Sequence, residues 1–427
     1  MSASCLTAPT FDQPAGADPS SLLARLAPIS DPRSRQGRRY ELCYVLGVAV
    51  AATAAVGHDS ISALAQWAAE VPSRVLACLG GRADPFTGQV AAPSRHTFGR
   101  VLAGVDVAKF QAAADAWTAT AVGADNEPEL APETEGDTDG DEPTDGAESE
   151  LRLLPAIAID GKSVRGAAAG GGQRPHLLAA ATHNTNIVLT QRQIPDKGSE
   201  IHELAGLVAQ LDLRGRVVTI DALHTQRATA EHLVTAKAAH YLMTVKANQP
   251  TLFEACQRVL LDPPGDTLAE YVTTDRGHGR TEQRTTRVVA VTDDHGIDWP
   301  HATHVFRIRR DTGDLHGQRL RKEIAYGITS LPADHASPAA LDRYTRGHWT
   351  IENQTHWVRD VTFAEDASTV RTGTAPHVMA TIRNMIITAL RLTGWVNLAQ
   401  ARRHYVHHPN RCADLINKPL ETDKSRT

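Results

Sequence analysis

Cysteine is scarce here. Cys5, Cys43, Cys78, Cys256 and Cys412 are scattered over 427 residues with no CxxC pair, which argues against a disulfide framework or a zinc finger. There is no HExxH motif either, so zinc hydrolysis of that type is set aside. The first twenty residues lack a basic stretch followed by an apolar core, and no secretory leader is expected. Long apolar runs are missing too. The most apolar stretch, residues 42–56, is interrupted by Gly47 and is too short for a comfortable membrane span. It reads as a buried helix. A reducing cytoplasm is the expected compartment, with no membrane partner. Aromatic residues are only 5% of the chain.

Positive charge is in deficit overall, with a formal net charge of -5. The deficit is local. Residues 125–150 hold twelve Asp or Glu and no Lys or Arg, and taking those twelve charges away from -5 leaves the remainder at +7. Arginine-rich runs such as RSRQGRR (33–39) and RIRR (307–310) then become candidate phosphate contacts.

Texture along the chain predicts its organisation. Residues 1–20 read as a flexible tail. Over 21–122, apolar residues at three- and four-residue spacing predict an all-helical domain, with Ser94 or Thr97 as an N-cap. Residues 123–150 are acidic, rich in Pro and Gly, and predicted to be a disordered linker. From 151 to 395 short apolar runs alternate with amphipathic stretches, predicting a mixed α/β domain. Ser199 is the expected cap of its first helix. Residues 250–340 read as a β-rich insertion, 338–360 as a helix, and 396–427 as a C-terminal tail.

Two predicted strands, AIAID and VVTID, end in aspartate, at Asp160 and Asp221. Placed side by side, such carboxylates repel unless a cation lies between them. Mg²⁺ or Mn²⁺ suits oxygen ligands, and a third carboxylate would complete a two-ion site for in-line displacement at phosphorus. The best third candidate is Glu352, in HWTIENQTHW. On a regular helix, His348, Glu352 and His356 would share nearly one face. Asp360, Glu365 and Asp366 rank lower. Asp360 lies on another helical face, and the other two fall beyond Phe363.

The stretches DGKSVRG (160–166), HLLAA (176–180), EIHELAGLV (200–208), VTIDALHTQ (218–226), YLMTVKANQ (241–249), HGRTEQR (278–284) and HWTIENQTHWVRDVTFAED (348–366) resemble, in order and spacing, the motif series of DDE transposases of bacterial insertion sequences. The resembling branch includes the H-repeat-associated proteins. APSRHTFGRVLAGVD (92–106) is similar to that family's N-terminal associated region. The candidate carboxylates are 61 and 131 residues apart. The resemblance implies an RNase H-like sheet flanked by helices, with Asp160 on its first strand, Asp221 on its fourth and Glu352 on a later helix, the β-rich insertion lying before that helix. It implies metal-dependent cleavage of transposon ends and strand transfer into target DNA, with two Mg²⁺ or Mn²⁺ ions per site. The implied partners are terminal inverted repeats and target DNA, held by a homodimer on the DNA ends at the nucleoid. The helical N-terminal domain would recognise those ends. Lys162, Arg165, Lys246, Asn248, Gln249, Arg280, His348, Asn353, His356 and Arg359 are the candidate DNA contacts. The rival readings are a transposase-derived DNA-binding protein without catalysis and a metal-dependent nuclease without joining activity.

Overall fold

A computed structural model describes residues 18, 20–36, 38–57, 59–123, 153–167, 175–194, 200–262, 268–277, 279–315, 318–418 and 420. Most of the expected N-terminal tail, nearly all of the acidic 123–150 segment and Ser199 lie outside these residues. The chain forms two compact units. One takes Met1–Glu127, Val164–Arg174 and Val358–Thr427; the other takes Pro128–Ser163 and Pro175–Trp357.

The first unit is helical: α1 (Leu22–Leu26), α2 (Leu42–Ala54), α3 (Ile61–Glu70), α4 (Ser73–Cys78), α5 (Arg95–Gly104) and α6 (Val107–Val122). Ser21, Ser60, Ser94 and Asp106 cap α1, α3, α5 and α6 by accepting backbone N–H bonds. Helix α2 is apolar all round and buried on almost every residue, as the centre of a bundle requires. Gly47 allows close approach there, because a Cβ would lie 2.5 Å from Leu23 Cδ2.

The second unit is built on one nine-stranded sheet of order β3-β2-β1-β4-β5-β9-β8-β7-β6. Its strands are β1 (Ala156–Ser163), β2 (His176–Thr182), β3 (Val188–Ile194), β4 (Val217–Ile220), β5 (His240–Val245), β6 (Ala269–Gly277), β7 (Arg280–Ala290), β8 (His304–Asp314) and β9 (Arg319–Thr329). β1, β4 and β5 run parallel, and the other neighbours are antiparallel. The first five strands have the RNase H-like arrangement that the resemblance implies. Helices α7 (Glu200–Val208), α8 (Arg227–Glu231) and α9 (Pro250–Leu261) share one core with Ile157, Ile159, Val218 and Ile220. On the opposite face α10 (Pro338–Thr350) buries Leu341 and Tyr344 against Val217, Leu242 and Phe306.

The structure corrects four boundaries. The insertion opens with a helix, α9, and its strands β6–β9 extend the same sheet by pairing β9 with β5. Residues 358–395 belong with the helical unit and not with the sheet. There α11 (Ala375–Leu392) is buried through two-thirds of its length or more. The expected tail at 396–427 instead contains α12 (Leu398–Val406) and α13 (Pro409–Asn417), whose Leu398, Ala401, Tyr405, Cys412, Leu415 and Ile416 join the helical core. Finally, β1 runs on to Ser163, because β2 continues to pair with it after β4 has ended.

Candidate active site

Parallel pairing of β1 with β4 positions the site. Ile159 lies opposite Ile220 in the last matched pair, so Asp160 and Asp221 follow on neighbouring strands, whose spacing is about 4.8 Å. Side chains alternate along an extended strand. Ile159 and Ile220 enter the α7–α9 core, whereas Ala156 and Val217 face α10 and Ala158 meets Ile351. Asp160 and Asp221 share the parity of that second set and project toward α10 and the turns that follow it.

Each carboxylate accepts a backbone N–H. Asp160 Oδ1 accepts the Gly161 N–H at 2.8 Å, and Asp221 Oδ1 accepts the Leu223 N–H at 3.0 Å, capping a short 3-10 turn at Ala222–His224. That turn is held from the far side. Asn248 Nδ2 donates to the Ala222 carbonyl, and Gln249 Nε2 donates to the Thr225 carbonyl. Asn248 and Gln249, expected at DNA, therefore brace the loop behind Asp221.

A polar chain missed in the sequence lies beside Asp221. Thr219 Oγ1 is 3.0 Å from His348 Nδ1 and 2.8 Å from His183 Nε2. Burial pushes His348 down to about 4, against the opposing pull of the Asp221 carboxylate and the Thr219 bond. Burial, with His348 nearby, pushes His183 down to about 3. Both rings are therefore neutral at pH 7. Thr219 could have been found from its parity with Asp221. His183 carries no local signal, since Thr219 is 36 residues away.

His356 Nδ1 approaches Asp160 Oδ2 at 3.4 Å. Glu352 does not share this placement. After α10 the chain continues as π-helical turns, Ile351–His356 and Val358–Thr362, with the Trp357 N–H bonded to the Glu352 carbonyl. The wider turn changes which residues face inward: Ile351, Thr355 and His356 are buried, whereas Glu352 and Asn353 are exposed. The single face expected for His348, Glu352 and His356 is thus broken. Among the described residues no three His, Cys, Asp or Glu side chains are grouped to hold a metal ion. Asp160 and Asp221, at the ends of adjacent parallel strands, supply carboxylate oxygens of the kind a hard divalent cation takes.

The remaining candidates divide. Lys162 is buried within β1, and Lys246 and Arg280 are exposed. Arg165 belongs to the helical unit, exposed and 4.0 Å from Asp366. Arg359 is corrected outright. It is fully buried in the helical unit and donates to both oxygens of Glu365, at 2.7 and 3.1 Å. A guanidinium so enclosed is not available to a DNA phosphate.

Residues 23–118 match the family described as DDE_Tnp_1-associated, and residues 152–389, more than half of the chain, match the family described as Transposase DDE domain. The chain is 32% identical over 250 residues to "Putative transposase YncI" of Escherichia coli O157:H7, covering 55% of this chain and 61% of that protein. It is 29% identical over 248 residues to "H repeat-associated putative transposase YhhI" of Escherichia coli strain K12, covering 55% and 63%. The match thus spans about three-fifths of these relatives' lengths, 61% and 63%. A solved piggyBac transposase synaptic complex with hairpin DNA aligns at TM-score 0.43 and 11% identity, covering 94% of this chain and 80% of that one. With its motifs in order and its associated region upstream, the chain belongs to the DDE transposases, in the branch that includes the H-repeat-associated proteins.

Proposed function

We propose that this protein cleaves DNA at the ends of an insertion sequence and joins the freed strands to target DNA. The observation that carries the reading is that Asp160 and Asp221 each directly follow the last matched pair, Ile159 and Ile220, of parallel β1 and β4. Asp160 and Asp221 would hold divalent metal, Mg²⁺ or Mn²⁺. Such ions, two per site in the complete reading, supply charge neutralisation at phosphorus and a more acidic water. Glu352 is proposed as the third carboxylate, brought in from its exposed position on the π-helical turn when DNA is bound. His348 and His356 border the two aspartates and orient groups around them. Lys246, Arg280 and Asn353, all exposed, are proposed DNA contacts. The DNA partners are terminal inverted repeats and a target duplex, paired by a homodimer.

The test is a product assay on the purified full chain, with Mg²⁺ or Mn²⁺ and duplexes bearing the inverted repeats that flank its gene. Joined strands are expected. Cut ends that never join would indicate a nuclease, and binding without cutting would indicate a DNA-binding descendant. Either result overturns the proposal.

A further inference from the structure

The segment read from sequence as a tail carries an unneutralised basic surface. Between Asp366 and Asp414 the sequence has no acidic residue. Within that stretch α12, α13 and the His407–His408 link between them expose Arg403, His407, His408 and Arg411 to solvent, with His404 half-buried. His404 and His408 make a tilted ring contact with centroids 4.2 Å apart, and Trp395 makes another with His404 at 5.3 Å. Arg411 Nη1 lies 3.1 Å from His404 Nε2. A guanidinium can only donate, so the ring nitrogen accepts and His404 is the neutral partner. Arg411's charge is thereby oriented but not cancelled. Neither Arg403 nor Arg411 forms an ion pair among the described residues. Elsewhere in the same unit Arg33 is paired with Asp31 and Arg82 with Glu41.

Helix stability does not explain the pattern. Arg403 and His404 in the last turn of α12 complement its dipole. The row, however, continues into α13, where Arg411 occupies the first turn. A cation there is opposed by the dipole, and an anionic partner reverses that penalty.

We propose that Arg403, His407, His408 and Arg411 form a contact surface for the sugar–phosphate backbone of duplex DNA. The surface deepens the reading of this chain as a DNA-processing protein and rests on it. It reads charge and not sequence, since contacts of exposed guanidinium and imidazole groups with phosphates position a duplex without reading its bases.

The test is salt-dependent binding of the full chain to a duplex of unrelated sequence, followed by fluorescence anisotropy. Each phosphate contact contributes about 0.9 to the slope of log affinity against log salt. R403Q/R411Q should therefore lower the slope by about 1.8 and weaken binding several-fold, with an unchanged melting temperature. R403K/R411K, which keeps the charge, should retain most of the slope. An R403Q/R411Q protein that binds with the wild-type slope overturns the surface. The transposase reading is judged separately, by whether the wild-type chain cuts and joins end-bearing DNA. A wild-type chain that binds no duplex overturns both.

Discussion

A guanidinium enclosed beside a carboxylate is governed by solvation. Arg359 and Arg383 both reach Glu365, and all three side chains are buried. Removing Arg359 takes two charge-assisted hydrogen bonds from the buried Glu365, which keeps Arg383. Arg359→Ala should therefore cost about 3 kcal/mol, because buried hydrogen bonds to a charged group and a buried side chain are lost together. The measurement is urea unfolding of the variant. A variant of normal stability with weakened DNA affinity would instead restore Arg359 to the surface role suggested by its motif. Histidine burial makes a second residue-level prediction. Burial, aided by the Arg359 charge, pushes His377 down to about 4, below its unfolded value of about 6.5. Between those two values the unfolded chain binds a proton that the native chain does not. Stability should then be fully present above pH 6.5 and fall with decreasing pH, by up to about 1.4 kcal/mol per pH unit for this group. His377→Gln should reduce the pH slope of the unfolding free energy by about one proton. An unchanged slope would contradict the burial.

At the scale of elements, α10 is fastened to the strands that extend the sheet. Asp342, on α10 and buried, accepts from Arg284 of β7 at 2.9 Å and from Arg346 at 3.0 Å, and it also accepts the Thr286 hydroxyl. Arg346 reaches on to Asp275 of β6 at 2.8 Å. Asp342→Ala would take the closer carboxylate from the buried Arg284, leaving it Glu282 at 3.7 Å, and should destabilise the sheet unit by about 3 kcal/mol. A loss of less than about 1 kcal/mol, the range of exposed ion pairs, would mean that the anchor is dispensable. Gly347 marks the other fixed point of α10, since a Cβ there would lie 2.1 Å from His183 Nδ1. Gly347→Ala should displace His183 from Thr219 and move the imidazole resonances of both His183 and His348, as read by NMR. The element scale is also where the sequence was most and least legible. VVTID announced a strand ending at an aspartate, because an apolar run meeting a carboxylate has few other solutions. HWTIENQTHW announced a helix but not its pitch. No composition signal separates four-residue from five-residue hydrogen bonding, and that difference turned Glu352 outward.

At the scale of the whole molecule, what the sequence concealed was partnership across distance. The 4–1 parallel register that seats Asp160 beside Asp221 joins strands about sixty residues apart, yet both aspartates were identifiable from their flanking residues alone. Residues 358–417 were harder. Their helices pack with α1–α6 in one core, so their place in the helical unit depends on contacts hundreds of residues away in sequence. The polar helix α12 read as a tail because its buried stripe is only Leu398, Ala401, Arg402 and Tyr405, with Arg402 bound to Asp59 and to the Ala55 carbonyl. The net charge of -5 was misleading in the same way: it belongs to one acidic segment and conceals a basic remainder.

In the proposed function Asp160 and Asp221 together form the catalytic metal site of a DNA-cutting enzyme. The most direct measurement compares wild type, Asp160→Asn and Asp221→Asn in end cleavage and joining with Mn²⁺, alongside thermal melting. Each Asn keeps the shape and the anchoring oxygen of the aspartate but removes its charge. Either variant should lose both cleavage and joining by at least about a thousandfold, on the scale of removing a principal charge-stabilising group, with melting nearly unchanged. Near-normal joining by either variant would contradict it.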